Sequence, residues 1–409
     1  MSLGRDVKSA FKLGKKALKV RRAKRDITQK IAARGKLPND TYQVGVYFAD
    51  GVVNMYQMRQ WYEPLQELNK KWPVLVLART STGASMLMDE SGLDVAYVPK
   101  IDDLENVVRE QPLKVMLYVN QNTRNFQMMR YGNRWHVFIN HGESDKMYMT
   151  SNQYKTYDYA LVAGEAARKR LSRALWNYDV DSETISIGRP QADHFVGEPP
   201  YPADDRITVL YAPTWEGDRP AATYGSVKSH GVALAEAILK SNKHRLVYRP
   251  HPRSGVVDDD FGAANKRIID MIAEANRQDP HAHHIFDQSG SIGWQLSAPD
   301  VAICDISAMV YDRLAVGKPL LVTKPASPDA ELDEGGYLSV CEWLEPDASE
   351  NILAEVDAVL HNPEAQQRLK QWSEFHFGDT APGEPTKRFH AAIETLMKRW
   401  DEWNAKAAV

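Results

Sequence analysis

The chain has 409 residues, of which 43% are hydrophobic and 26% charged, with a formal net charge of −3. This length is typical of two or three globular domains, and the composition excludes wholesale disorder and a collagen-like repeat. No run approaches the roughly 18 apolar residues that a transmembrane helix needs. The two cysteines, Cys304 and Cys341, are too few for a disulfide framework. The start has no apolar core of signal-peptide length, so we expect a cytoplasmic protein.

The N-terminal segment, residues 1–36, carries most of the charge asymmetry. It has 13 Lys and Arg against two acidic residues, a net charge of +11, whereas the remainder has 38 basic and 52 acidic residues, a net charge of −14. On a helical wheel, a stripe with Val7, Phe11 and Leu18 lies beside a lysine face. This pattern predicts a basic amphipathic helix that binds an anionic membrane surface. The alternatives are a solvated tail, a nucleic-acid arm, or a helix packed on the protein's own acidic body. No nucleic-acid motif accompanies it, so no nucleic-acid partner is expected.

The first strand is predicted from Tyr42 to Phe48, and helical patterns alternate with further strands after it. Buried strands that alternate with helices predict a parallel sheet with helices on its faces. We therefore expect residues 37–195 to form an α/β, Rossmann-like domain. The apolar runs that predict its further strands are 73–78, 95–99, 115–120 and 136–140.

Residues 188–206 are rich in proline and acidic residues and are predicted to link two domains. The strand pattern then restarts, which predicts a second Rossmann-like domain over residues 205–362 and a helical tail over 363–409. Two doubly wound domains with a cleft between them are the natural assembly. The predicted strands of the second domain are 208–213, 245–250, 283–287, 301–304 and 319–323.

Polar clusters follow several of these strands, where open α/β sheets bind their ligands. Taken singly, each has an ordinary structural reading as a helix cap, a turn or packing. Their shared location at strand ends indicates a site of group transfer. The clusters are His141 with Gly142; Gly188, Arg189, Pro190 and Asp193; Thr214, Trp215 and Glu216; Arg249, His251, Arg253 and Ser254; and Asp305, Ser307 and Asp312.

The clusters of the second domain favour a diphosphate. Asp305 or Ser307 is a good N-cap for a helix that begins near Ala308, and a helix start attracts phosphate. Arg249, Arg253 and His251 are expected to surround the same phosphates, since Arg pairs bidentately with them. No GxGxxG follows a strand and no GxxxxGK[ST] occurs, which disfavours dinucleotide oxidoreductases and P-loop ATPases.

His141 is the candidate general base of the first domain, because an ordinary histidine accepts a hydroxyl proton at neutral pH. A base from one domain that meets an activated phosphate held by the other supports group transfer across a cleft. His281, His283 and His284 resemble a metal cluster, but no carboxylate stands at ligand spacing, and no metal site is expected.

The ordered motifs resemble the CDP-glycerol glycerophosphotransferase family, whose members build teichoic acids and related poly(polyol phosphate) chains. The resemblance runs from about Val137 to Ile393 and is carried by His141-Gly142, Gly188-x-Pro190-x-x-Asp193, Tyr211-Ala-Pro-Thr-Trp215, Arg249-Pro-His-Pro252, and Asp305-x-Ser307 with Asp312 and Lys318-Pro319.

The resemblance implies a GT-B architecture without a cofactor or an essential metal. The second domain would hold the donor, CDP-glycerol or a related activated polyol, and the acceptor would enter from the first. A polyol phosphate would pass to the hydroxyl of a lipid-linked or polymeric acceptor, releasing CMP, in cell-wall or capsule synthesis at the inner face of the membrane.

The resemblance also implies roles for residues. His141 matches the family's catalytic base, and His251 matches a second functional histidine that contacts the diphosphate and stabilises developing charge. The expected donor-binding positions are Thr214, Arg249, Arg253, Ser254, Asp305, Ser307 and Asp312.

Two departures from the family pattern concern the substrates. The usual Trp-His-Gly-Thr-Pro-Leu-Lys is changed here, so the acceptor side is more acidic, and the usual Asp-Tyr-Ser-Ser lacks one hydroxyl because Ala308 stands last. CDP-ribitol as the donor, a GT-B glycosyltransferase that uses a nucleotide sugar, and a non-catalytic scaffold that binds polymer or membrane remain alternatives. The acceptor-side residues are Gly142, Glu143, Ser144, Asp145 and Lys146.

Overall fold

Two parallel β-sheets organise the chain, and residues 188–206 connect them. The computed structural model describes residues 20–142, 150–217, 219–289, 292–332 and 336–407. The prediction of two parallel α/β halves is confirmed by the sheet topology.

Within the described residues, seven parallel strands form the first sheet, in the order β3-β2-β1-β4-β5-β6-β7. Its central strands are apolar runs because helices cover both faces of the sheet. The strands are β1 (Val44–Phe48), β2 (Val74–Ala78), β3 (Asp94–Tyr97), β4 (Val115–Tyr118), β5 (Trp135–Phe138), β6 (Tyr159–Val162) and β7 (Thr184–Ser186).

The first helix of this half precedes β1, and the other helices lie in the connections between its strands. The helices are α1 (20–34), α2 (Met55–Arg59), α3 (Tyr62–Asn69), α4 (Ser81–Glu90), α5 (Ile101–Glu110), α6 (Phe126–Met129), α7 (Glu165–Ala174) and α8 (Val180–Glu183).

The second sheet has six parallel strands in the part of the chain that the structure describes, in the order β10-β9-β8-β11-β12-β13. The strands are β8 (Ile207–Ala212), β9 (His244–Tyr248), β10 (Ile285–Phe286), β11 (Val301–Cys304), β12 (Leu320–Thr323) and β13 (Trp343–Leu344). The helices are α9 (Val232–Leu239), α10 (Asp259–Gln278), α11 (Trp294–Ser297), α12 (Ala308–Val316), α13 (Ile352–His361), α14 (Pro363–Phe377) and α15 (Glu384–Ala407).

The last helix crosses back to the first sheet. Phe389, Ile393 and Leu396 of α15 are fully buried in the same core as the strands β1 and β2. The carboxylate of Asp193 caps the start of this helix, because it accepts the backbone N–H of Gly383 at 2.8 Å and that of Thr386 at 2.9 Å. The helical tail predicted from sequence therefore contributes directly to the first half.

The basic segment also packs on the protein in part. Ile27 of α1 is fully buried in the first core, and Lys30 forms an ion pair with Asp89 at 2.6 Å. The predicted amphipathic stripe with Val7, Phe11 and Leu18 lies outside the described residues. In the chain that is described, no helix combines the length and the apolarity needed to cross a membrane.

Three short strands, β6, β7 and β13, were not predicted from the sequence. β7 has the sequence Thr-Ile-Ser with one residue exposed, and β13 has only two residues. β7 and β13 lie at sheet edges. A strand there is buried less completely, so its sequence lacks the continuous apolar run that identifies a central strand.

We predict that Phe389→Ala lowers the free energy of unfolding by about 3–5 kcal/mol, because it leaves a cavity in the first core. Trp403→Ala on the same helix is the matched control. Trp403 is 61% exposed, so its loss should change stability by less than about 0.5 kcal/mol. Urea denaturation of both variants measures the difference, and equal losses would show that α15 does not stabilise the first half.

Candidate functional site

The loop after β5 places His141 at the carboxyl edge of the first sheet. Asn140 turns the chain with a left-handed φ of 55°, a conformation that Asn tolerates better than most residues. Its side-chain amide donates to the carbonyl of Gly142 at 2.8 Å, and Trp61 Nε1 donates to the carbonyl of Asn140 at 2.5 Å. These bonds define the direction of the backbone on both sides of His141.

The imidazole of His141 is oriented by a backbone carbonyl. Its Nδ1 lies 3.0 Å from the carbonyl oxygen of Val119, which follows β4. A carbonyl only accepts, so Nδ1 carries the proton and Nε2 of the neutral ring keeps its lone pair. The ring of Tyr56 meets this imidazole edge-on, with 5.7 Å between the centroids, and Tyr56 is 51% exposed.

The environment of His141 favours the neutral imidazole. Burial lowers the pKa of His141 below the ordinary histidine value, the Val119 carbonyl partly opposes this effect, and the guanidinium of Arg189 lowers the pKa further. The imidazole of His141 therefore stays unprotonated, and able to act as a base, under mildly acidic conditions.

A polar network fixes the neighbouring loops. The side-chain amide of Asn120, next to Val119, donates to Asp50 at 2.8 Å and to Gln57 at 2.7 Å. The loops after β1 and β4 are therefore held together beside His141.

A cavity opens beside the His141 loop at the ends of β5, β6 and β7. Its wall combines apolar side chains with two guanidinium groups. Among its lining residues are Trp61, Asn140, Gly142, Arg170, Arg189 and Gln191.

Arg189 links this cavity to the second half. Its Nη2 lies 2.5 Å from Oδ1 of Asp312 in α12, and both residues are buried. Burial raises the pKa of Asp312, and the charge of Arg189 opposes that rise. The sequence predicted Asp312 as a donor ligand, but its carboxylate pairs with Arg189 at the junction. The geometry therefore favours a structural ion pair for Asp312 over a direct contact with a phosphate.

Asp305, also predicted as a donor ligand, instead fixes the loops of the second half. Its fully buried carboxylate accepts the backbone N–H of Thr214 at 2.8 Å and of Ser226 at 3.0 Å, and the hydroxyl of Thr323 at 2.6 Å. Burial raises the pKa of Asp305 to about 6, although bonds from Ser226 and Thr323 oppose this. Thr214 is thereby positioned at the carboxyl end of β8.

Ser307 is the N-cap of α12, so of the two caps that the sequence predicted, Asp305 or Ser307, the second is the one formed. Its hydroxyl accepts the backbone N–H of Met309, and Gly317 ends the helix in the left-handed conformation. The start of α12 lies directly after β11, where a helix N-terminus favours phosphate.

His251 and Arg253 gather around Trp215. The guanidinium carbon of Arg253 lies 3.9 Å from the centre of the Trp215 ring, and the His251 ring centre lies 6.5 Å from it. Nδ1 of His251 accepts the backbone N–H of Arg253 at 3.1 Å, so Nε2 carries the proton of the neutral ring. Burial lowers the pKa of His251, and Arg253 lowers it further.

Arg249 lies at the end of β9, where a carboxylate holds it. Its Nη1 donates to Asp287 and, at 2.9 Å, to the hydroxyl of Ser289. Gln295 supports Asp287 with a further bond at 2.9 Å. The hydroxyl of Ser254 is buried and makes no hydrogen bond within the described chain.

The structure thus brings Thr214 near Asp305, and His251 near Arg253. Glu143, Ser144, Asp145 and Lys146, predicted on the acceptor side, lie outside the described residues. Over the ranges that are described, no three His, Cys, Asp or Glu side chains form a metal-binding group.

Sequence reasoning named Arg189 and Glu216 only as members of strand-end clusters, and it did not single out Tyr56. The position of Arg189 shortly after a strand indicated a site residue, whereas its pairing with Asp312 could not be predicted from the spacing of the two residues. Tyr56 stands in no motif, and only the fold brings it to His141.

One family matches the sequence. The sequence model described as CDP-Glycerol:Poly(glycerophosphate) glycerophosphotransferase matches residues 75–370. The chain belongs to this family. The candidate residues from His141 to Asp312 lie within the glycerophosphotransferase match, whereas Tyr56 and α15 lie outside it. No curated protein shows a significant sequence match.

Solved structures share the fold of this family member. The wall teichoic acid polymerase TagF has a TM-score of 0.55 at 13% identity, over 98% of this chain and 99% of that chain. A UDP-N-acetylglucosamine 2-epimerase has a TM-score of 0.56 at 15% identity, over 89% and 97%. A glycosyltransferase from Rickettsia africae ESF-5 has a TM-score of 0.50 at 12% identity, over 88% and 99%. These likenesses show a GT-B-like fold, and the family match makes the protein a glycerophosphotransferase-like transferase.

We predict that Asp305→Ala lowers the free energy of unfolding by about 2–5 kcal/mol, because it leaves the buried N–H groups of Thr214 and Ser226 without their acceptor. Ser307→Ala, which removes only a helix cap, should cost about 0.5–2 kcal/mol. Chemical denaturation compares the two. A smaller loss for Asp305→Ala would contradict its role as the anchor of these loops.

Proposed function

We propose that the protein transfers glycerol phosphate, or a related polyol phosphate, from a CDP-activated donor to the hydroxyl of a lipid-linked or polymeric acceptor, and that it releases CMP. The family supports this proposal, and the hydrogen bond between His141 and Val119 carries it. That bond leaves Nε2 as the basic nitrogen at the edge of the first sheet.

The reaction follows from the two histidines. The acceptor hydroxyl gives its proton to Nε2 of His141 while its oxygen bonds to the glycerol-bearing phosphorus. The bond from that phosphorus to the bridging oxygen breaks, and CMP leaves with this oxygen and its electron pair. The N–H at Nε2 of His251, the start of α12 and Arg249 stabilise the charge that develops on CMP.

We predict that His141→Ala lowers the rate of CMP release from CDP-glycerol about 10²–10⁴-fold, since a general base contributes that much. Affinity for CDP-glycerol should persist, because the base lies outside the half that binds the donor. Chromatography of CMP measures turnover, and calorimetry measures donor binding. Undiminished turnover would refute the role of His141.

Arg249→Ala is the complementary variant, and it should weaken donor binding. A panel of CDP and UDP donors in the same assay tests the alternative of a nucleotide-sugar glycosyltransferase. Turnover of a UDP sugar without turnover of CDP-glycerol would replace the proposed donor. The absence of any turnover, with polymer or membrane still bound, would favour the scaffold.

The pH dependence provides a further readout. Because the pKa of His141 lies below the ordinary value, its base form persists as pH falls. We predict that the acidic limb of kcat/KM has its midpoint below pH of about 6.5. A midpoint above that value would contradict the environment described for His141.

We also propose that the protein works as a peripheral enzyme at the inner face of the cell membrane, in the synthesis of a cell-wall or capsule polymer. The described part of the basic segment supports this. Arg21, Arg22, Lys24 and Arg25 of α1 are exposed, while Ile27 anchors the helix to the first core. Each cation near an anionic leaflet contributes about 1 kcal/mol.

We predict that the quadruple variant R21Q/R22Q/K24Q/R25Q binds phosphatidylserine vesicles at least about tenfold more weakly than the unmodified chain. Salt should weaken the binding of the unmodified chain. Deletion of residues 1–19 tests the remaining basic residues without removing Ile27 from the core. The control is K240Q/K266Q/R267Q/R277Q, four exposed cations of the second half. Equal sedimentation of all variants with vesicles would contradict the proposal.

A further inference from the structure

The segment that follows β9, residues 249–258, is called the β9–α10 loop. It carries His251 and three of the predicted donor-binding residues, Arg249, Arg253 and Ser254. Two backbone bonds tie its start to the end of β8 and the residue that follows it, from Arg249 N to Tyr211 O at 2.9 Å and from His251 N to Pro213 O at 3.1 Å. Beyond His251 it has no strand partner among the described residues. Its conformation there depends on other contacts.

Glu216 supplies those contacts from the loop after β8. Its Oε2 accepts the backbone N–H of Gly255 at 3.0 Å. Its Oε1 accepts the N–H of Val257 at 2.7 Å and that of Asp258 at 3.2 Å. One carboxylate thus accepts three backbone N–H groups at the far end of the β9–α10 loop.

These hydrogen bonds stabilise the ionised carboxylate of Glu216. Glu216 is only 7% exposed and forms no ion pair within the described residues. Burial alone raises its pKa, but the N–H groups, led by that of Val257, outweigh burial and hold the pKa of Glu216 below the ordinary value. The carboxylate is therefore ionised at neutral pH and held by backbone dipoles.

The backbone of the loop requires such an anchor. Gly255 is left-handed, with φ of +80°, and a Cβ there would lie 2.5 Å from the Cα of Gly262 in α10. This close approach places the end of the loop against the helix. Glu216 holds the same end through the N–H of Gly255, and the Trp215 ring beside it in sequence lies against Arg253.

We propose that Glu216 is a positioning residue for the donor site. It holds the β9–α10 loop in the conformation in which His251 and Arg253 receive the anionic diphosphate. This proposal rests on the proposed function for the identity of the donor. A free carboxylate beside a phosphate site would repel the ligand, whereas a carboxylate engaged by three N–H groups acts as a structural anchor.

Amide hydrogen exchange tests the anchor directly. In Glu216→Ala, exchange over residues 255–258 should accelerate at least about tenfold, since bonds to charged groups are the stronger ones. Glu216→Gln should be intermediate, because its amide oxygen still accepts from Val257 and Asp258 while its NH₂ opposes Gly255. Exchange over β8 should stay unchanged in Glu216→Gln, which separates a local effect from a general loss of stability.

Ligand binding tests the positioning. Both variants should bind pyrophosphate more weakly, and in both the KM for CDP-glycerol should rise about tenfold or more while kcat changes less. Glu236→Gln is the matched control, since Glu236 pairs with Lys240 on an exposed helix face. It should behave like the unmodified chain.

Two results would overturn the inference. Unchanged exchange over residues 255–258 would show that Glu216 does not anchor the loop. Faster exchange with unchanged pyrophosphate affinity would show that the anchored conformation does not serve an anion. A chain that binds pyrophosphate in a Glu216-dependent manner but ignores CDP-glycerol would leave this inference standing and refute the proposed donor.

Discussion

Hydrogen bonds from backbone N–H groups to carboxylates hold the loops and the helix start that surround the two sheets. Asp193 accepts backbone N–H groups at the start of α15, and Asp305 accepts those of the loop after β8. Glu216 accepts those of the β9–α10 loop. Loops at strand ends have donors that no strand satisfies, and leaving such donors buried and unpaired costs about 1–3 kcal/mol each. Asp305 positions the backbone of Thr214, and Glu216 holds the far end of the loop that carries His251 and Arg253.

The balance between burial and hydrogen bonding differs among these carboxylates. Asp305 is fully buried, and burial raises its pKa to about 6 despite its bonds. Glu216 retains slight exposure, and its N–H donors lower its pKa instead. Asp305 is therefore the carboxylate that protonates first as pH falls, while Glu216 keeps its charge.

The two histidines are prepared in opposite senses. His141 donates through Nδ1 to a carbonyl, which leaves Nε2 as an acceptor, whereas His251 accepts at Nδ1, which leaves Nε2 as a donor. One ring suits proton removal from an acceptor hydroxyl, and the other suits charge stabilisation on a phosphate. Arg189 interacts with both halves, since it lowers the pKa of His141 in the first and pairs with Asp312 of α12 in the second.

Much of this architecture was predictable from local pattern. Buried parallel strands are continuous apolar runs, so the strands β1 to β5 and β8 to β12 were predicted from the sequence, as was a helix cap at Asp305 or Ser307. The edge strand β7 was not, because one exposed side removes the pattern. Asp305 and Asp312 were assigned to the donor from their positions in the family motif, and spacing does not reveal that their partners are Thr214 and Arg189.

The sequence by itself determined the two α/β halves, the placement of His141 and His251 at strand ends, and the family, because these depend on periodicity and on ordered motifs. Only the tertiary structure decided which nitrogen of each imidazole carries the proton, that α15 completes the first core, and that Glu216 anchors the β9–α10 loop. The physical reason is that each of these depends on a hydrogen bond or a packing contact between segments far apart in the chain. Such contacts leave no local pattern.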